Sequence, residues 1–281
     1  MSTSARQSSR SVALARLGFA DGARAEQLLA DPALGGLVDP LDDIFSDGLP
    51  DALGGTADPD LALLSLVRLM EALRATEPQR RDAEGGPAAE VVGLIAALRH
   101  SGPERDRLLA VLGASTALAD HLVAHPEHWR SVTEARPRTA AERIQTLVSA
   151  VREPGDDTAY DALRVAYRRE LLGIAALDLT SPDPTQTLPD TAEALADLAE
   201  AALEAALVIA HAELGEQADH CRLSVIGMGK TGGRELNYVS DVDVIFVAEP
   251  ADGADETSAL AAATGRALSS AWNSHVLAQR S

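Results

Sequence analysis

Two aspartates two positions apart, Asp241 and Asp243, follow the glycine-rich string "GMGKTGG" that begins at Gly227. Glycines let backbone N–H groups approach phosphate oxygens closely, and a helix opening just after them adds its positive end. If Asp241 opens a strand, both carboxylates project to one side while Val242 and Val244 enter the core. Two like charges so close repel unless a divalent cation lies between them. Mg²⁺, a hard ion that takes oxygen ligands, suits that position, and a pair of such ions serves in-line phosphoryl displacement. A plain acidic strand start after a tight turn would account for one aspartate, but not for two on one face beside a cationic loop.

Three phosphate-binding patterns compete for this loop. Gly227, Gly229 and Gly232 match G-x-G-x-x-G, but the dinucleotide fingerprint needs a full helix before the next, parallel strand. Only "RELNYVS" separates Gly233 from Asp241, too little for a parallel crossover. Gly229, Lys230 and Thr231 end like a P-loop, whose first glycine would fall at Ser224, inside the apolar run "LSVI". The remaining pattern fits: strand, glycine loop, a turn or two of helix, then a strand opening Asp-x-Asp. That is the core of a nucleotidyltransferase.

The elements that must position this motif are mainly helical. Leu63, Leu66, Val67 and Met70 follow the i, i+3, i+4, i+7 rule, as do Leu163, Tyr167, Leu171 and Ile174. Further helical stretches are "AAEVVGLIAALRH", "PERDRLLAVLGASTALADHLVAH", "AAERIQTLVSAVRE" and "TAEALADLAEAALEAALVIAHAEL". Loops are expected at "GGLVDPLDDIFSDGLPDALGG", "TEPQRRDAEGGP", "REPGDD" and "TSPDPTQTLPD". No fixed period links the helices, so a repeat array is not supported. The expected fold is mainly α with a small α/β part. An irregular helical domain, 1–190, precedes the first strands of a nucleotidyltransferase (polymerase-β-like) fold, 191–281. That second part holds a long helix, two strands, the glycine loop and a C-terminal helix.

His121, His125 and His128 form a decoy. His121 and His125 share a helix face as in zinc helices, but the glutamate base of that motif is absent. Pro126 tends to end the helix and is expected to swing His128 away. The reading is a helix end with two histidines near its C-terminus, and Trp129 as a packing anchor.

Composition narrows the function classes. A net charge of −19 argues against nucleic acid and anionic membranes, whose binding needs clustered Lys and Arg. No apolar run approaches the ~20 residues that span a bilayer. Cys221 is the only cysteine, which excludes an internal disulfide and fits a reducing cytoplasm. The opening "MSTSARQSSR" lacks an apolar core or cleavage site and reads as a frayed terminus. Aromatics make up 3% of the chain, so its Ala- and Leu-rich helices are expected to meet through small side chains.

The longer string "GMGKTGGRELNYVSDVDVIFV" closely resembles the signature of bacterial glutamine synthetase adenylyltransferase/adenylyl-removing enzymes, G-M-G-K-x-G-G-x-E-L-N-x-x-S-D-[IV]-D. The resemblance reaches back through "LRVAYRRELLGIAALDLT", "LGASTALADHLVAHPEHW" and "LARLGFADGARAEQLLADPAL", covering roughly residues 12 to 270. The family implies a long chain with two nucleotidyltransferase halves. The first removes AMP from a tyrosine of glutamine synthetase by phosphorolysis, giving ADP; the second attaches AMP from ATP. By position, this chain resembles the start of the first half. Carried onto it, the resemblance makes Asp241 and Asp243 the catalytic metal ligands. Gly229, Lys230, Gly232 and Gly233 then cradle the phosphates, with Lys230 as counter-charge. Ser240 either donates to a phosphate oxygen or caps the turn. Glu235 and Asn237 tie the short helix to the strands, and Arg234 either reaches the nucleotide or is solvated. The implied cofactors are Mg²⁺, adenine nucleotide (ADP/ATP) and phosphate; the implied partners are glutamine synthetase and a nitrogen-signalling regulatory protein.

One departure stands out. The family's third carboxylate, from a later strand, and the Leu-Arg-Pro segment after it are not found before Ser281. The sequence therefore reads as a truncated product with unfilled strand edges and exposed apolar faces, prone to associate. The alternative expectation is an inactive fragment that serves as a helical protein-docking module.

Overall fold

The computed structural model describes residues 10–35, 37, 48–76, 89–155 and 158–278. The opening residues, nearly all of the expected loop at 76–87 and residues 36 and 38–47 of the one at 35–55 lie outside them; the end of the latter is not a loop but a short helix, Leu49–Gly54, with Pro50 in its first turn. The chain divides into two compact units, one within 1–136 together with 175–182, the other within 137–174 and 183–281. This division crosses the sequence boundary at residue 190, because the helices over 140–174 belong with the chain that follows residue 183.

In the first unit, helix α1 (10–16), α2 (Gly22–Leu29) and α3 (Leu49–Gly54) precede the central α4 (Pro59–Thr76). The sequence stripe Leu63, Leu66, Val67 and Met70 is the buried face of α4. Against α4 pack α6 (Pro103–Ala114) and α7 (Thr116–Ala124); α5 (Ala89–Arg99) and α8 (Trp129–Thr133) complete the unit. Burying these leucines contributes about 2 kcal/mol each.

The expected single helix over 103–125 is instead two, bent by 114°. Ser115 breaks it: its backbone is extended (φ −149°), and its hydroxyl accepts the Leu118 N–H as an N-cap. Among the described residues no single helix is long and apolar enough to cross a membrane. Trp129 is 3% exposed and donates its indole N–H to Glu90 Oε2 at 2.9 Å, as a packing anchor should.

The second unit holds α9 (Ala140–Arg152), α10 (Ala159–Leu179), whose last residues belong to the first unit, and α11 (Pro184–Leu214). Then come β1 (Cys221–Gly227), the single turn α12 (Gly229–Gly232), β2 (Val244–Pro250) and α13 (Glu256–Ala278). The stretch "TSPDPTQTLPD" is not a loop throughout, since α11 begins inside it. Asp183 caps that helix by accepting the Gln186 N–H, and Pro184 takes the position where a missing N–H costs nothing. Pro189 removes one early hydrogen bond, in turns that are largely exposed.

The core of this unit is built through small side chains, as the composition suggests. Ala199, Ala202, Ala205 and Ala206 of α11 join Leu147, Leu163, Leu195 and Ile209 in one buried cluster. Strands β1 and β2 pair antiparallel, with Gly227 opposite Val244 and Ile226 opposite Ile245. One face of this ribbon, with Cys221 and Leu223, lies on Ala259, Ala262 and Ala263 of α13. On the other, Ile226, Ile245 and Val247 are each 48% exposed. Among the described residues the structure is thus mostly helical, with one two-stranded sheet.

Candidate functional site

The antiparallel ribbon explains why the motif's two halves meet. After Gly227 the ladder continues by one step, the Met228 N–H donating to the Asp243 carbonyl at 2.8 Å. The chain from 229 to 242 is therefore a closed excursion whose ends are pinned together, with α12 as its first feature. Gly229 has φ +52°, in the left-handed region that favours glycine. A Cβ there would stand 3.3 Å from Asp243 Oδ2. The Asp243 carboxylate thus lies close to the start of the glycine turn.

One expectation is corrected. Asp241 and Asp243 do not sit on the strand; β2 begins at Val244, and 241–243 form its irregular approach. Val242 consequently does not enter the core but is 37% exposed. The physical reason is the ribbon's length: β1 ends at Gly227, so among the described residues no partner strand continues beside Asp241. Both carboxylates are exposed to solvent.

The glycines divide by role. The Gly232 N–H donates to Met228 O at 3.0 Å, and the Gly233 N–H to Gly229 O at 2.9 Å. The amides of Gly232 and Gly233, expected to cradle phosphate, are thus already used inside the turn. Gly232 answers a steric need instead, because a Cβ there would lie 2.3 Å from the Gly227 carbonyl oxygen. The first-turn N–H groups of Gly229, Lys230 and Thr231 have no helical carbonyl to pair with, and they form the turn's donor end. Thr231, which the nucleotidyltransferase reading left without a role, has a solvent-shielded Oγ1 with no hydrogen-bond partner among the described residues.

Lys230 Nζ donates to Asn237 Oδ1 at 3.0 Å, and Asn237 Nδ2 donates to Val239 O at 2.7 Å. Asn237 therefore ties the short helix to the chain ahead of β2 through its side chain, and Glu235 does so through its backbone N–H, bonded to Lys230 O at 2.8 Å. Between them Leu236, 6% exposed, inserts into the alanine-rich core of α9–α11. The Ser240 hydroxyl donates to the Asp241 carbonyl at 3.3 Å.

Arg234 is 44% exposed at its side chain, yet its guanidinium is engaged rather than free to reach a ligand. Its guanidinium binds Asp197 and, at 3.0 Å, Glu193, both on α11. Burial pulls its pKa down, but Asp197 and then Glu193 more than offset this and hold it above the usual value. Sequence spacing alone does not reveal this pair, since 37 residues separate Arg234 from Asp197.

The donor set fits a hard cation. Mg²⁺ characteristically takes one or two carboxylates and completes its shell with water and substrate phosphates. Among the described residues no three His, Cys, Asp or Glu side chains converge on a metal position. That holds for the histidines also. Contrary to expectation His128 is not swung away; its Nδ1 lies 3.1 Å from His121 Nε2, and its ring stacks on that of His125. The 3₁₀ turn Pro126–His128 brings the chain back over the end of α7.

A sequence model of the glutamate-ammonia ligase adenylyltransferase family matches residues 105–276. The bifunctional glutamine synthetase adenylyltransferase/adenylyl-removing enzyme of Streptomyces avermitilis is 48% identical over 265 residues, 94% of this chain and 24% of that protein. Its counterpart in Streptomyces coelicolor is 46% identical over 269 residues, again 94% and 24%. That of Mycolicibacterium smegmatis is 42% identical over 221 residues, 76% of this chain and 21% of that protein. The chain thus spans about a quarter of the length of these relatives. No solved structure matches it significantly.

Proposed function

The chain belongs to the glutamate-ammonia ligase adenylyltransferase family, and from that premise we propose that residues 191–281 open a Mg²⁺-dependent nucleotidyltransferase domain, preceded by a helical domain over 1–190. Its reaction is removal of AMP from an adenylyl-tyrosine of glutamine synthetase by phosphorolysis, with ADP as product. In the full-length family the second half would perform the reverse regulation, adenylylation by ATP. Glutamine synthetase is the substrate protein, and a nitrogen-signalling protein is the proposed regulator.

The observation that supports this reading most is the contact of Asp243 with the start of the glycine turn. Asp241 and Asp243 would hold Mg²⁺, which when bound neutralises phosphate charge and polarises the phosphorus centre. The residues of the chain do the positioning. The first-turn N–H groups of α12 offer donors to nucleotide phosphate oxygens. Lys230, held by Asn237 at 3.0 Å, supplies a positive charge at the same turn. The closed excursion between Met228 and Asp243 fixes these groups relative to the carboxylates. The attacking phosphate and the AMP phosphorus would meet between them, and the tyrosine oxygen would leave.

The test is ADP release from adenylylated glutamine synthetase, phosphate and Mg²⁺, using the enzyme at the full length of its relatives. ADP release that is abolished by Asp243→Asn supports the proposal. Full rate in that variant removes Asp243 as a metal ligand. If the chain is only a docking module, glutamine synthetase binds with no metal-dependent nucleotide binding.

A further inference from the structure

Arg234 is, among the described residues, the non-glycine residue with a left-handed backbone, at φ +57°. Its position is specific. Gly233 closes α12, the Arg234 N–H donates to Thr231 O at 3.2 Å, and the Glu235 N–H donates to Lys230 O at 2.8 Å. This pair of bonds is the Schellman ending of a helix, whose left-handed residue is ordinarily glycine. Placing a side chain there costs about 1 kcal/mol in backbone strain. A residue that bears such a cost must return something through its side chain.

What it returns is a clasp onto α11. The Arg234 guanidinium meets Asp197, whose side chain is 8% exposed, and Glu193. Asp197 stands in a longer charged string, within electrostatic reach of Arg143, which is paired with Glu170 at 3.0 Å between α9 and α10. One strained residue therefore joins the end of the glycine turn to the helical core. Leu236, two positions on, inserts into that same core. A single-turn helix has too few internal bonds to hold itself. Its carbonyls at 230 and 231 accept the very bonds that Arg234 and Glu235 donate, so the clasp acts on the residues that carry the donor end and Lys230.

We propose that Arg234, anchored by Asp197 and Glu193, is a positioning residue that holds the α12 turn in its phosphate-binding shape. This rests on the nucleotidyltransferase reading given above. The clasp acts through the backbone of α12, and Arg234 itself does not touch the nucleotide.

Arg234→Gly separates positioning from helix capping, since glycine satisfies the left-handed backbone while removing the clasp. With the full-length enzyme, the variant should exchange the amide hydrogens at 234 and 235 about tenfold faster and bind Mg²⁺–ADP about tenfold more weakly. Arg234→Lys should recover most of the affinity, and adding Asp197→Asn to Arg234→Gly should weaken binding little further. If Arg234 only caps the helix, Arg234→Gly matches or exceeds the wild type in both exchange protection and affinity, and the proposal is overturned. Faster exchange with unchanged affinity likewise overturns the positioning role. Failure of the nucleotidyltransferase reading is distinct: the wild type itself then shows no Mg²⁺-dependent ADP binding while Arg234→Gly still speeds exchange, and the positioning role falls with that reading.

Discussion

Substituting alanine at Gly232 and at Gly233 separately tests the division of roles among the glycines. At Gly232 the new methyl would lie 2.3 Å from the Gly227 carbonyl oxygen and 2.9 Å from its carbon. Ordinary carbon–oxygen contacts begin near ~3.3 Å, so about 1 Å of backbone movement is required. Neither side yields easily: Gly227 is paired with Val244 in the ladder, and Gly232 is bonded to Met228 O. Overpacking of that kind against two fixed backbones costs about 3 kcal/mol. At Gly233 the nearest atom to a new Cβ is Gly229 O at 3.3 Å, and the backbone is right-handed at φ −78°. There the tight contact is offset by the reduced freedom of the unfolded chain, leaving a change within about 1 kcal/mol. Urea denaturation of the two variants measures the difference, and Mg²⁺–ADP titration shows whether the turn survives. Equal stability of Gly232→Ala and Gly233→Ala would refute the close-approach argument and return both glycines to a shared role at the phosphate.

Other outcomes follow from the same structure. Leu236→Ala removes the anchor between the glycine turn and the α9–α11 core, and should cost about 3 kcal/mol in urea denaturation, with Mg²⁺–ADP affinity falling as well. Glu170→Gln leaves Arg143, whose side chain is 4% exposed, without its charged partner; breaking such a buried pair should cost about 3 kcal/mol, measured by thermal melting. Burial holds the Tyr167 hydroxyl pKa above its ordinary 10.0. The unfolded chain then loses that proton first, so this group's contribution to stability is full below pH 10 and declines as pH rises through the folded value. Melting temperatures above pH 10 should fall less steeply in Tyr167→Phe than in the wild type.

Much of the motif is legible in sequence because its signals are local. Glycine spacing, the short interval to Asp241 and the apolar runs on either side suffice to reject a parallel crossover, and the ribbon is antiparallel. The buried stripe of α4 is likewise a matter of periodicity. What local pattern cannot supply is the end of pairing. Asp241 and Asp243 look like strand residues until the length of β1 ends the pairing at Asp243, whose carbonyl accepts the Met228 N–H as the last step. Ser115 breaks a continuous helical pattern because its hydroxyl captures the Leu118 N–H, an option that serine offers at many positions where it is not taken. The contacts of Arg234 with α11 and of Leu236 with the alanine-rich core are long-range, and neither residue type announces its partner.

The central claim is that Asp243 and the glycine turn form one metal-dependent nucleotide site. Calorimetric titration of ADP into the protein, with Mg²⁺ and then with excess chelator, tests it most directly, with Asp243→Asn beside the wild type. The account predicts binding heat that needs Mg²⁺ and vanishes in Asp243→Asn, while the melting temperature of that exposed-site variant stays within a few degrees of the wild type. ADP binding that is absent, indifferent to Mg²⁺, or undiminished in Asp243→Asn would contradict it.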